Sequence, residues 1–330
     1  PYTGGHCQRV PELTRLLAAA ACDSSAPAFR EFDLDAKQWE ALDIASWLHD
    51  CGKVTTTEYV VDKATKLETL YDRIHEIRTR FEVLKRDAEI RYWRQRAGGG
   101  DQQPLYEVLQ QQLSQLDDDF AFIADCNLGG EFMAPDRLER LRRIAAYGWK
   151  RTLDDRLGVS WEERQRMERE AVRPLPAKER MLDNKVQHLI ERGSVDRLPA
   201  DNPWGFKMDT PEYKYNRGEL YNLEVDRGTL TGEERYKIND HIMQTIIMLE
   251  KLPYPKHLRD VPLIAGCHHE TMDGKGYPKR LTREQMPLMA RMMAVADIFE
   301  ALTASDRPYK KAKTLGEAIR IMSFMKKEQH

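Results

Sequence analysis

Residues 36–53 read AKQWEALDIASWLHDCGK. Trp39, Leu42, Ala45 and Leu48 fall on one face of a helix, which the spacing predicts over 36–49. Gly52 is a plausible stop. The helix therefore ends on His49-Asp50, an imidazole and a carboxylate at the edge of an apolar face. Either group, once buried, needs a partner.

Working outward, the same periodicity recurs. Upstream, Val10, Leu13, Leu16 and Leu17 predict a helix over 8–22, with Pro11 near its start. Downstream, Thr231-Gly232-Glu233-Glu234 opens a helix with a capping-box carboxylate, followed by Ile238, Ile242, Thr245, Ile246 and Leu249. Further helices are expected over Val261–Glu270 and Leu288–Thr303. No region alternates in the manner of strands, so the chain reads as all-α.

Between these parts lies a different texture. Leu67, Leu70, Ile74, Ile77, Phe81, Leu84 and Ala88 step by threes and fours along a highly charged helix, a heptad seam. It stops at Gly98-Gly99-Gly100. Helices over Leu105–Ala124 and Pro135–Trp149 follow, then loop-like segments around Arg173-Pro174-Leu175-Pro176 and Asp201-Asn202-Pro203-Trp204-Gly205. We read 1–67 and 217–330 as two parts of one core, and 68–216 as an inserted helical hairpin with a less regular return path. The seam packs either within this insertion or across a homodimer, as a contact or signal-transmitting stalk. His75, beside Asp72 and Glu76, reads as solvated.

Composition narrows the class. The 330 residues are 32% charged with a net charge of -2, which argues against a DNA or RNA polymer as partner and leaves room for a local basic pocket. The five cysteines, Cys7, Cys22, Cys51, Cys126 and Cys267, are scattered and form no CxxC pair, so a reducing, cytoplasmic setting is expected. No apolar run reaches the ~20 residues of a membrane span; Met286–Leu302 carries Arg291, Asp297 and Glu300. The opening Pro1-Tyr2-Thr3-Gly4-Gly5-His6 shows no signal peptide. It reads as the start of a fragment, with a sensor or membrane-anchored region expected upstream.

Chemistry concentrates in His49-Asp50, His241, His268-His269 and Asp297, on four separate helices. A lone histidine on an apolar face is usually a satisfied core residue. Six such residues on four helices are harder to explain that way. Mixed imidazole and carboxylate donors suit Fe, Mn or Zn better than Mg or Ca. Asp273-Gly274-Lys275-Gly276-Tyr277-Pro278 reads as a tight turn, or as a loop whose amides and tyrosine ring meet a ligand. Asp306-Arg307-Pro308-Tyr309-Lys310-Lys311 reads as a solvated charge run or as a phosphate clamp.

In this order, the motifs resemble the HD-GYP subgroup of the HD phosphohydrolase superfamily. The carriers are His49-Asp50-Cys51-Gly52-Lys53, Leu230–His241, His268-His269-Glu270, Asp273–Pro278, Ala296-Asp297 and Arg307-Pro308-Tyr309-Lys310, over about 1–67 and 217–325. The resemblance implies an HD-type helical bundle that hydrolyses cyclic di-GMP to linear pGpG through a metal-bridged hydroxide. A preference for cyclic GMP-AMP, or a non-catalytic binding and signalling module, are the alternatives. It implies two divalent ions, Fe or Mn, with Zn or Ni as substitutes, held by His49, Asp50, His241, His268, His269 and Asp297. Asp50 and Lys53 would be catalytic, and Lys53, Gly276, Tyr277, Arg307 and Lys310 would bind substrate. The chain departs from the family pattern in three places. Tyr2 stands where some members place a glutamate for a third ion, so His6 is expected near the site or purely structural. His49 and His241 are 192 positions apart, so the insertion must leave and return near the site. Thr55-Thr56-Thr57-Glu58 lacks a proline often found there.

Overall fold

A computed structural model describes residues 2–199, 201–305 and 312–327, which form two compact units. The first comprises Pro1–Thr57, Arg197–Thr210 and Tyr236–His330; the second comprises Glu58–Asp196 and Pro211–Arg235.

In the first unit, α1 (Tyr2–Cys22) packs on α2 (Ala36–Leu48), and a 3-10 turn at Cys51–Thr55 follows. Helix α2 starts where Asp35 accepts the Lys37 and Gln38 amides, both at 2.9 Å, while the Gln38 side chain accepts the Asp35 amide. Helix α1 begins earlier than the expected residue 8, so Pro11 lies inside it. Its buried stripe explains why it holds there: His6, Val10, Thr14 and Ala18 repeat every four residues and all face inward.

The second unit opens with α3 (Glu58–Val61). The seam helix α4 (Ile74–Ala97) then pairs with α5 (Gln102–Asn127) as a hairpin within the chain. Ile74, Ile77, Phe81 and Ala88 are buried, and Ile123 and Leu109 of α5 belong to the same apolar clusters. The seam is shorter than its sequence pattern. Leu67 and Leu70 precede the helix, and Leu70 is 91% exposed, because Asp72 takes the Ile74 amide at 2.9 Å and starts α4 only there. His75 is exposed, as expected.

Helix α6 (Pro135–Ala145) stops short of Trp149, which lies in β1 (Gly148–Arg151). After α7 (Trp161–Met167), β2 (Ala177–Arg180) pairs antiparallel with β1, Gly148 opposite Arg180. A second ribbon joins β3 (Leu189–Glu191) to β4 (Tyr213–Asn216), and α8 (Glu219–Leu223) follows. These two ribbons are the irregular return path. Both are too short for a periodicity-2 signal to emerge.

Helix α9 (Gly232–Glu250) begins with a reciprocal cap between Thr231 and Glu234. The first unit is completed by α10 (Val261–Gly266), α11 (Leu288–Thr303) and α12 (Leu315–Lys327). Its core joins Val10, Leu42, Ala45, Leu249, Ile264, Ala290 and Met293. Each large aliphatic side chain so buried contributes about 1.5–3 kcal/mol. Among the described residues, no helix is long and apolar enough to cross a membrane.

Candidate metal centre

Five segments of the first unit converge on one buried point. Helix α1 supplies His6, the end of α2 supplies His49 and Asp50, α9 supplies His241, the turn after α10 supplies His268 and His269, and α11 supplies Asp297. His6, His49, Asp50, His241 and His268 are each at most 4% exposed.

Three of the histidines are oriented by one local device. The Nδ1–H of His49 donates to the Ser46 carbonyl at 2.7 Å, that of His241 to Ile238 at 2.5 Å, and that of His268 to Ala265 at 2.7 Å. Each acceptor lies three residues back. A carbonyl only accepts, so the proton sits on Nδ1 and each Nε2 presents a lone pair to the centre.

Those lone pairs face other acceptors. Asp50 Oδ1 lies 3.2 Å from His241 Nε2 and 3.9 Å from His268 Nε2, and all three atoms are buried without a hydrogen-bond partner. Buried acceptors turned toward one another repel unless a cation lies among them. The other oxygen, Asp50 Oδ2, lies 3.1 Å from His6 Nε2 and 3.4 Å from His49 Nε2. Asp50 thus turns one oxygen to each of two donor clusters, His241-His268-His269 and His6-His49-Asp50. Asp297 Oδ1 lies 3.1 Å from His6 Nε2 and 3.9 Å from His49 Nε2, on the second cluster's side. The donor types, spacing and unsatisfied atoms all fit divalent cations.

Electrostatics keep the donors in ligand form. Burial alone would push the Asp50 carboxyl up, but the surrounding imidazoles, His49 foremost, hold it well below the usual carboxylate range. Burial, reinforced by neighbouring imidazoles, pushes His269 down to about 4 and His268 well below the ordinary value. His6 behaves differently. Burial pulls it down, but hydrogen bonds to Asp297, Asp50 and Glu300 outweigh that and push it up to about 11. Its Nδ1–H donates to Glu300 Oε2 at 2.5 Å, and Arg9 grips the other Glu300 oxygen through two nitrogens.

Two glycines are steric requirements. A Cβ on Gly52 would stand 1.9 Å from the His241 carbonyl oxygen, and the Gly52 amide donates to Thr245 Oγ1 at 2.9 Å. Only glycine lets α9 come this close to the His49-Asp50 turn. A Cβ on Gly276 would stand 2.3 Å from the Thr271 amide nitrogen. The Gly276-Tyr277 loop is further pinned by Glu270, which accepts the Lys279 and Leu281 amides at 2.7 and 2.8 Å. The Tyr277 ring stacks on His269 at 4.9 Å. Lys53 Nζ lies 2.5 Å from Asp50 Oδ2 with its side chain 29% exposed.

The structure thus brings together His49, Asp50, Lys53, His241, His268, His269, Gly276, Tyr277 and Asp297. Arg307 and Lys310 lie outside the described residues. Sequence reasoning left His6 open and missed Glu300 entirely. The available signal was the four-residue stripe of α1, which extends from Ala18 back to His6. It also assigned 197–210 to the insertion, whereas this segment is part of the first unit. There the Lys207 amide donates to the Pro278 carbonyl at 2.7 Å, Arg280 pairs with Asp209 at 2.7 Å, and buried Phe206 lies under Lys279.

The HD domain family model matches residues 176–330. That stretch holds His241, His268, His269 and Asp297; the fold adds His49 and Asp50 from before the insertion. A cyclic di-GMP phosphodiesterase of Pseudomonas aeruginosa is 57% identical over 56 residues, 17% of this chain and 13% of its own length. A 3'3'-cGAMP-specific phosphodiesterase of Vibrio cholerae is 37% identical over 102 residues, 31% of this chain and 21% of its own. A cyclic di-GMP phosphodiesterase response regulator of Xanthomonas campestris is 54% identical over 57 residues, 17% of this chain and 15% of its own. The chain therefore spans about a fifth or less of the length of these relatives. Residues 176–330 thus carry an HD domain, and with the converging histidines and carboxylates the chain is similar to HD-type phosphohydrolases that include cyclic-dinucleotide phosphodiesterases.

Proposed function

We propose that the chain is a metal-dependent cyclic-dinucleotide phosphodiesterase that opens cyclic di-GMP to linear pGpG. The observation that carries this reading is Asp50, whose two oxygens face two separate sets of imidazoles, with unsatisfied acceptors on the His241-His268 side. His49 and Asp297 would hold one ion and His241, His268 and His269 the other, with Asp50 shared and His6 beside the first. Two divalent ions, iron or manganese, would supply charge neutralisation at the phosphate and a water acidic enough to attack phosphorus.

The chain's own residues do the rest. Lys53 pairs with Asp50 Oδ2 and, being partly exposed, can reach a phosphate oxygen. Burial pushes the Tyr277 hydroxyl well above its ordinary range, so it stays a proton donor for a ligand oxygen. Gly276 lets the loop backbone lie flat beside its neighbours. The new oxygen–phosphorus bond forms as the bond to the 3′ oxygen breaks. That oxygen takes up a proton, leaving a 5′-phosphate and a free 3′-hydroxyl. A cytoplasmic setting fits the five free cysteines.

A preference for cyclic GMP-AMP is the second reading, favoured by the similarity to the Vibrio cholerae phosphodiesterase. One experiment tests both. The protein, reconstituted anaerobically with Fe(II) or Mn(II), is mixed with equimolar cyclic di-GMP and cyclic GMP-AMP, and both are followed by chromatography. Faster loss of cyclic di-GMP with appearance of pGpG is expected. Faster loss of cyclic GMP-AMP replaces the substrate. Consumption of neither at about two ions per chain leaves a binding module and overturns the enzyme.

A further inference from the structure

The second unit contains a cavity of about 340 Å³, within the size range of small-ligand sites. Its walls come from the start of α4, β1, α7, β2 and the turns on either side of β3 and β4. Carboxylates and cations both line it, but they are unevenly committed. Glu219 accepts both nitrogens of Arg80 at 2.7 and 2.8 Å, Glu179 is held by Arg151 and Lys185, and Glu76 lies 3.4 Å from Arg80. Four other lining guanidiniums, Arg73, Arg166, Arg180 and Arg217, have no carboxylate within 4.0 Å among the described residues. Only two lining carboxylates, Glu163 and Asp183, are likewise without a cation. Arg80 serves both Glu76 and Glu219, so the whole lining sets six cationic side chains against five carboxylates, an excess of about one positive charge in one concavity.

Arg73 is the deepest of the four. Its Nε donates to the Leu67 carbonyl at 3.3 Å and its Nη1 to the Arg217 carbonyl, while Nη2 is buried with no acceptor. His188 adds a second donor. Its Nδ1 accepts the Lys185 amide at 3.2 Å, so the proton is on Nε2, which has no acceptor among the described residues. Trp149 also lines it, its indole N–H donating to the Arg180 carbonyl at 3.2 Å.

We propose that this cavity is a binding site for a small anion bearing a phosphate or carboxylate group, gripped by Arg73, Arg166 and Arg217 with His188 as a neutral donor. Guanidinium forks match both oxyanions, and the positive excess together with the buried, acceptor-less Nη2 of Arg73 favours an anion. The site is separate from the metal centre, since all its residues belong to the second unit and all the metal donors to the first.

The test is calorimetric titration of the full chain with inorganic phosphate and, in a second arm, with succinate, against chloride at matched ionic strength. Wild type, Asp50→Ala, Arg217→Gln and Arg73→Gln proteins are compared. One anion is expected per chain, with affinity unchanged by Asp50→Ala and about tenfold or more weaker in Arg217→Gln. Arg73→Gln should weaken it further; because Arg73 also braces two carbonyls, the variant at the exposed Arg217 decides the matter if the Arg73 variant unfolds. The stronger arm identifies the oxyanion. Absence of binding in both arms overturns the site. So does binding lost in Asp50→Ala but retained in Arg217→Gln, which would place the anion at the metal centre.

Discussion

The two units bury charge in opposite ways. In the second, buried charges mostly close on one another. Lys63 is capped by Glu234 at 2.8 Å and lies 3.3 Å from Asn222 Oδ1, while Lys66 donates to the Leu223 and Val225 carbonyls at the end of α8. In the first, Asp50, His241 and His268 are as deeply buried, yet their free acceptors point at one another. A network that closes on itself is cheap to keep and does nothing further. A network left open costs stability and persists only where something else completes it. Among the described residues of the second unit, the buried Arg73 Nη2 without an acceptor marks one place where closure fails.

The sharpest way to break this contrast is Asp50→Ala. Turnover of cyclic di-GMP should fall at least ~10³-fold, and bound metal, measured by elemental analysis, should drop while the helical circular dichroism stays. Retention of both metal and activity would show that Asp50 is only a core anion. Lys63→Met should do the reverse. It strands Glu234 in the interior, costing about 3–5 kcal/mol in denaturant unfolding, with metal content unchanged. A loss of metal at unchanged stability would mean the two networks are not distinct.

Smaller effects sharpen the picture. Lys207→Pro removes the amide that braces Pro278, so the Gly276-Tyr277 loop should loosen. Hydrogen exchange over 271–281 should quicken, and KM for the substrate should rise about tenfold while kcat changes less. Unchanged exchange in that loop would detach 197–210 from the site. Smallest is a pH effect. His188 is held down to about 4 by burial, below its ordinary value of 6.5. The unfolded chain therefore binds the extra proton between those values, so stability is complete above about pH 6.5 and falls as pH drops toward 4. The loss should reach roughly 1–2 kcal/mol by pH 5. His188→Gln should flatten that part of the stability profile; an unaltered slope assigns it to other groups.

These differences also explain what could be read from the sequence. Helix α11 runs over Leu288–Thr303, as its apolar pattern predicts, and α2 over Ala36–Leu48, because long apolar stripes with clear caps leave little ambiguity. The donor set was legible because His and Asp are conspicuous on such stripes. His6 was less so: it precedes the recognisable part of α1, and its partner Glu300 is 294 residues away. No local pattern encodes that distance. The 197–210 segment was misassigned because its attachment is a backbone hydrogen bond to Pro278, an ion pair between Asp209 and Arg280 and the contact of Phe206 with Lys279, none of which has a periodicity. The heptad seam was read too long because Leu67 and Leu70 fit the spacing, while Asp72, a single capping side chain, decides where α4 begins.

The histidine orientations carry a consequence for how such a site can drift. His49, His241 and His268 each lean on a main-chain carbonyl within their own turn. The acceptor at positions 46, 238 and 265 is main chain, so a side-chain change there that fits the packing (buried Ser46 and Ala265 admit only small ones) leaves the histidine oriented, and these three ligands travel as self-contained cassettes. His6 has no such independence. Its orientation depends on the Glu300 side chain, itself gripped by Arg9, so a change at one demands a matching change at another. Within one ring of imidazoles, three positions are free to wander in their surroundings and one is tied to a distant helix.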